Sequence, residues 1–291
     1  MFYDVFLVAL GVVGLRHWKQ GRADTRGAIR FGLYAWAVIA AAVLLHPGRN
    51  PFEYLYPISL GFTAAMMYMA VEPWTRRLWP HVMITWARVL AGRWRDPVVG
   101  RDVLVTVACV TSNYAFLRIA QLVAIRNGIA PYPPAEQGTF GVVVDNFASV
   151  GVMAANLTIP FYSGLGVALG LFLMLFVLNA LLRKKWLAVI IALALWFAGN
   201  PSTLLSDWMS TLQWALEFAF LVFLTFRFGV FASALFSSLS MLISMSMFTG
   251  DFTLWYGRTS LAATLIVSLF TIYAFRTSIG RQPILRNWAA C

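Results

Sequence analysis

The chain has 291 residues, of which 60% are hydrophobic and 11% charged, with a net charge of +11. An ordinary soluble domain is about 25% charged, whereas apolar runs of about 18 residues or more recur here from end to end, so a soluble fold is excluded. The basic residues sit in gaps between those runs rather than on a polar face, which excludes a nucleic-acid binder and points to anionic lipid headgroups as partners.

The first apolar run, Phe2 to Leu15, lacks the basic start and small-residue cleavage site of a secretory signal and reads as a short span. Its abrupt start suggests thin anchoring or a chain cut at this point. A basic loop, 16–30, leads into a second span, Ala28 to Leu45. The prolines and glycine of His46 to Pro51 then make a turn. Tyr54 to Val71 is the third span, with Tyr54 and Tyr56 placed as interfacial anchors.

The longest polar interval follows, with an interfacial segment over 73–101. His81, Thr85, Arg88, Gly92 and Arg95 recur at spacings of four, three, four and three, on one helical stripe, while Val82, Met83, Trp86, Val89, Leu90 and Trp94 fall elsewhere. This predicts an amphipathic helix near 81–95 lying in the headgroup plane, started by Pro80 and ended before Pro97.

Val103 to Ile125 is the fourth span, and the proline-rich segment 126–146 is an outside loop. Phe147 to Ile159 is short and is followed by Pro160, which predicts a re-entrant or interfacial piece before a fifth span, Phe161 to Leu182. Trp186 to Ala198, Trp208 to Phe226, Gly229 to Met247 and Thr259 to Phe275 complete the apolar runs, with turns at Gly199 to Ser202 and at Asp251 to Arg258. The expected architecture is an all-α, polytopic transmembrane helical bundle of about eight or nine spans over 1–275, with a basic tail over 276–291.

Alternating crossings place eighteen basic residues on one side and three, Arg49, Arg126 and Arg258, on the other, with Arg118 inside a span. The positive-inside rule then orients the chain with its N-terminus outside and its C-terminus cytoplasmic.

Little chemistry is visible. His17, His46 and His81 are isolated from one another and from Cys109 and Cys291, so neither a metal site nor a cofactor is expected. Gly164, Gly166 and Gly170 miss the dinucleotide-binding spacing by one residue and read as helix-packing positions. Charge inside a span is costly, so Arg118 and Glu217 form a candidate intramembrane polar pair, either structural or lining a solute path. In Gly92 to Asp102, the arginines Arg93, Arg95 and Arg101, with Arg88 just upstream, are candidates to hold a kinase domain or a lipid headgroup. Trp94 would sit at the interface beside them. The plainer reading of the same stretch is a basic stop signal between two spans.

Glu72-Pro73-Trp74, Arg76-Arg77, Trp79-Pro80, Ile84-Thr85-Trp86 and Gly92 to Asp102 together resemble the C-terminal membrane region of bacterial serine/threonine protein kinases of the acidobacterial type. Gln20 to Asp24 and Arg26-Gly27 resemble the same family, and the similarity is specific from about Arg16 to Leu104. The resemblance implies a kinase domain, a span and an extracytoplasmic region ahead of this segment. The chain itself lacks a glycine-rich loop with its strand lysine, a His-Arg-Asp loop and an Asp-Phe-Gly motif, so no catalytic residue carries over and the chain is not expected to be an enzyme. The expectation is a sensory or anchoring module of the bacterial inner membrane, acting in signal transduction with a kinase domain or a second copy as partner. A small-solute transporter or channel is the alternative, and a lipid-modifying enzyme is the weakest of the three.

Overall fold

The computed structural model describes residues 2–21, 23–46, 55–128, 149–199, 208–246 and 257–280. Ten α-helices lie among them, with no strand: α1 Phe2–Lys19, α2 Thr25–Leu45, α3 Tyr56–Leu78, α4 Ile84–Leu90, α5 Pro97–Arg126, α6 Val150–Leu182, α7 Lys185–Ala198, α8 Trp208–Arg227, α9 Val230–Ser244 and α10 Gly257–Ile279. A 3-10 turn, Pro80–Met83, precedes α4. The expected turn at 47–51, most of the expected loop at 126–146, the expected turns at 200–202 and 251–256, and the tail beyond 280 lie outside the described residues.

Local sequence sets the helix ends. Asp24 accepts from the Gly27 N–H and Asp96 from the Val98 N–H, each at 2.9 Å, and Ser149 accepts from the Val152 N–H at 3.1 Å, so α2, α5 and α6 each begin on a side-chain cap. Each satisfies a donor the helix itself cannot. Pro97 at the first position of α5 needs no partner for its nitrogen. Of the basic loop 16–30, only the residues between Lys19 and Thr25 are non-helical.

The ten apolar runs fall on nine of the helices, two of them on α6, but among the described residues only α2, α5, α6 and α10 are long and apolar enough to cross a membrane, fewer than the expected eight or nine. The apolar α7 and α9 have 14 and 15 residues, about 21–23 Å at 1.5 Å per residue, against a core of about 30 Å. Polar groups dilute the others: Arg16, His17 and Lys19 in α1, Glu72, Arg76 and Arg77 in α3, Gln213, Glu217 and Arg227 in α8. A second correction concerns Pro160, where the expected break between 147–159 and 161–182 does not occur. The helix α6 runs unbroken for 33 residues with a buried Pro160 inside it. A proline ring removes one helical hydrogen bond, which a long helix packed between neighbours accommodates. Likewise α3 continues through Pro73 to Leu78, beyond the expected end at Val71.

The packing order is α1, α3, α2, α6, α9, α5, α10, with α7 and α8 beside the α6–α9–α5 side. Two apolar cores result. One joins Val103, Val107 and Val110 of α5 to Leu175 of α6, Leu221 and Leu224 of α8, and Phe236 and Leu239 of α9. The other joins Phe31, Tyr68, Trp79, Trp86 and Phe172. Helices α6 and α9 serve both, and their closeness depends on Gly164: a Cβ there would lie 2.3 Å from the Ser238 nitrogen. Gly164 is thus a packing position as expected, whereas Gly166 and Gly170 meet nothing within 4 Å.

Contacts between helix ends gather the basic loops together. Gly229 abuts the Val82 carbonyl, Arg101 lies over the Phe228 ring at 5.7 Å, Gly100 packs on Ser278, and the Arg30 guanidinium donates to the Leu90 carbonyl at 2.6 Å. At the opposite end Gly151 packs on the Leu45 carbonyl. One end of the bundle is therefore basic.

A candidate docking site at the basic end

The expected amphipathic helix near 81–95 does not form as one element. It divides into the 3-10 turn, the seven residues of α4, and a loop that begins where Gly92 adopts φ +80°. Positive φ is cheap only for glycine, so the helix stops there. The polar stripe does not face headgroups throughout. Thr85 is buried and its hydroxyl donates to Asp102 Oδ2 at 2.5 Å, while Arg88 pairs with Asp96 at 2.7 Å. The opposite side of the segment, Val82, Met83, Trp86 and Val89, is buried as well. The two aspartates of the next corner draw the stripe inward, because a buried carboxylate must be paired or hydrogen-bonded.

That corner leaves the loop well fixed. The Gly92 and Arg93 N–H groups donate to the Val89 and Arg88 carbonyls at 2.9 Å, the Asp96 N–H donates to the Arg93 carbonyl at 3.2 Å, and the Tyr273 hydroxyl donates to the Trp94 carbonyl. Asp102 is fully buried and also accepts from Arg101 Nε and Nη2 at 3.0 and 2.8 Å.

The five docking candidates thus divide. Arg88 and Arg101 are held by aspartates and brace the corner. Arg93, Trp94 and Arg95 are exposed, and among the described residues neither Arg93 nor Arg95 has an acidic partner. Gly92 to Asp96 line a groove of about 430 Å³. A fixed loop presenting two guanidinium groups beside an indole can grip a phosphate or carboxylate through paired N–H donors.

A second polar cluster at this end escaped the reading of the sequence. Arg76 pairs with Asp24 at 3.2 Å and, four residues along its own helix, with Glu72; the Asp24 N–H donates to Glu72 Oε2 at 3.4 Å. Glu72 is 3% exposed, and burial pushes its carboxyl above the ordinary value while Arg76 pulls it back. His17 Nδ1 lies 3.2 Å from the Met69 carbonyl and its ring meets Trp74 edge-on at 5.5 Å. The cluster ties α1, α2 and α3 together. Its signals were present in the sequence: an aspartate before a helix start, and a Glu/Arg pair at i, i+4.

Arg118 and Glu217 do not form the expected ion pair. The Arg118 side chain is exposed and donates to Gln121 Oε1 at 3.0 Å on its own helix. Both charges act on Tyr114, whose hydroxyl donates to the Ser240 carbonyl at 2.7 Å. Next to it Asn113 is 1% exposed, and neither its amide oxygen nor its nitrogen has a hydrogen-bond partner among the described residues. Among those residues there is also no cluster of three or more His, Cys, Asp or Glu able to hold a metal ion.

No family model, no curated protein and no solved structure matches this chain.

Proposed function

We propose that the chain is a non-catalytic, multi-pass module of a bacterial inner membrane that anchors, and relays signals to, a serine/threonine kinase system. In this reading the basic end faces the cytoplasm, the N-terminus lies outside, and all nine long or apolar helices cross. The shorter ones are shielded by protein neighbours or by local thinning of the bilayer. The observation that carries the reading is the collection of the basic loops on one end, with Arg93, Trp94 and Arg95 held in a fixed, unpaired loop. Such a face suits a partner domain or an anionic surface.

The test is co-purification from membranes of the full chain with its associated kinase domain. Arg93→Gln with Arg95→Gln should lower kinase recovery several-fold. Arg101 is left intact because its pair with Asp102 is structural. Unchanged recovery would refute docking at this loop.

A transporter or channel is the second reading, favoured by Asn113, buried near the middle of α5 with no hydrogen-bond partner among the described residues, and by Glu217 near the middle of α8. It predicts solute or ion flux in proteoliposomes that falls at least ten-fold in Glu217→Gln. Flux indistinguishable from empty vesicles would remove this reading.

A further inference from the structure

We infer that the loop Arg93-Trp94-Arg95 is a binding site for the phosphate headgroup of an anionic phospholipid. The inference rests on the membrane reading above but not on its kinase part.

Three observations favour lipid over a protein partner. The first is the loop's depth. Tyr273 donates to the Trp94 carbonyl from six residues before the end of α10, and Arg30 donates to the Leu90 carbonyl from the sixth residue of α2. At 1.5 Å per residue both anchors lie about 8–9 Å inside the ends of helices long and apolar enough to cross a membrane. The loop is therefore fastened to the terminal turns of two helices that are long and apolar enough to cross a membrane, where lipid headgroups would meet it.

The second observation is aromatic. Trp94 is 52% exposed, and Trp18 and Trp74, 54% and 51% exposed, lie at the same basic end. Exposed indoles beside basic residues are the anchors expected where a bundle meets the bilayer interface. The third is the distribution of charge. Asp96 and Asp102 are taken by Arg88 and Arg101, so the N-terminus of α5 is already capped by its own carboxylate. Within this corner the cations left without an acidic partner among the described residues are Arg93 and Arg95, on either side of Trp94 in the chain. Two guanidiniums on a fixed backbone match a phosphate, with Trp94 beside the glycerol and upper acyl region.

The experiment uses the full chain in nanodiscs of phosphatidylcholine with graded phosphatidylglycerol, and native mass spectrometry counts the phosphatidylglycerol molecules retained. The double variant Arg93→Gln with Arg95→Gln should weaken retention about 30-fold, equivalent to about 2 kcal/mol for the lost charge-assisted hydrogen bonds to the phosphate. Lys184→Gln with Lys185→Gln, at the same basic end, should change it little. Equal retention by the arginine variant and the wild type would overturn the proposal, and so would equal losses in both variants, which would mean that bulk charge is at work. Soluble glycerol phosphate is the competitor. Failure to displace the lipid supports a lipid site, and displacement at equal concentration would reassign the site to free phosphate. Loss of kinase recovery with unchanged lipid retention would make the loop a protein dock and end the lipid assignment. Loss of lipid retention with unchanged kinase recovery supports the lipid site while refuting kinase docking there.

Discussion

Gly229→Ala should lower the stability of the bundle by about 3–5 kcal/mol, seen as an earlier midpoint in equilibrium unfolding by SDS. Gly229 joins α8 to α9 with φ +97° and ψ −180°, a backbone region that is essentially glycine's alone. An added Cβ would in addition lie 2.2 Å from the Val82 carbonyl oxygen, a backbone atom that cannot rotate away. The two costs are separate and both must be met. Gly166→Ala provides the comparison, since nothing lies within 4 Å of that site and alanine gains up to about 1 kcal/mol over glycine in a helix interior. Equal midpoints for the two variants would contradict the description of the α8–α9 elbow.

Asp102→Ala should cost about 2–3 kcal/mol and also loosen the arginine loop. The carboxylate is fully buried and serves three donors, the Thr85 hydroxyl and two nitrogens of Arg101. Removing it leaves a buried hydroxyl unpaired and releases a guanidinium, but solvent screening at the 59% exposed Arg101 side chain holds the loss below that of a fully buried pair. The double variant Thr85→Val with Asp102→Leu removes both buried partners. It should recover at least 1 kcal/mol relative to the sum of the single changes, because no buried polar atom is stranded. Strict additivity would show that the Thr85–Asp102 bond contributes nothing of its own. Faster proteolysis at Gly92 to Asp96 in Asp102→Ala, with the wild-type loop resistant, would locate the loosening in the corner.

The two variants probe different layers of what can be read from the chain. Ten apolar runs announced helices, and two of them joined to make α6, because a hydrophobic run of that length must satisfy its backbone internally once it leaves water. The distribution of basic residues anticipated a bundle with one basic end. Where a proline met a long apolar helix, the local rule overreached. Pro160 read as a boundary, and the polar interval after Val71 read as the end of a span, but α6 and α3 both continue as helices.

The candidate site was legible only in part. Arginines in Gly92 to Asp102 were visible as a group, but which of them are available was not, since that depends on partners drawn from elsewhere. The Asp102 side chain reaches back to Thr85, seventeen residues earlier, and Tyr273 fastens Trp94 from 179 residues away. The stripe His81, Thr85, Arg88 had the period of a surface helix, and periodicity alone does not distinguish lipid headgroups from buried aspartates as the polar partner. Arg118 and Glu217 shared a hydrophobic setting without sharing a contact.

What the sequence determined by itself is what depends on near neighbours: helix content and the segregation of charge. The tertiary structure alone decided which glycines are close-packed and which arginines are spent on aspartates. The division has a physical cause. Backbone hydrogen bonding and hydrophobic period act within a few residues of each other, whereas the neutralisation of a charge is settled by whichever opposite charge the folded chain brings within about 4 Å.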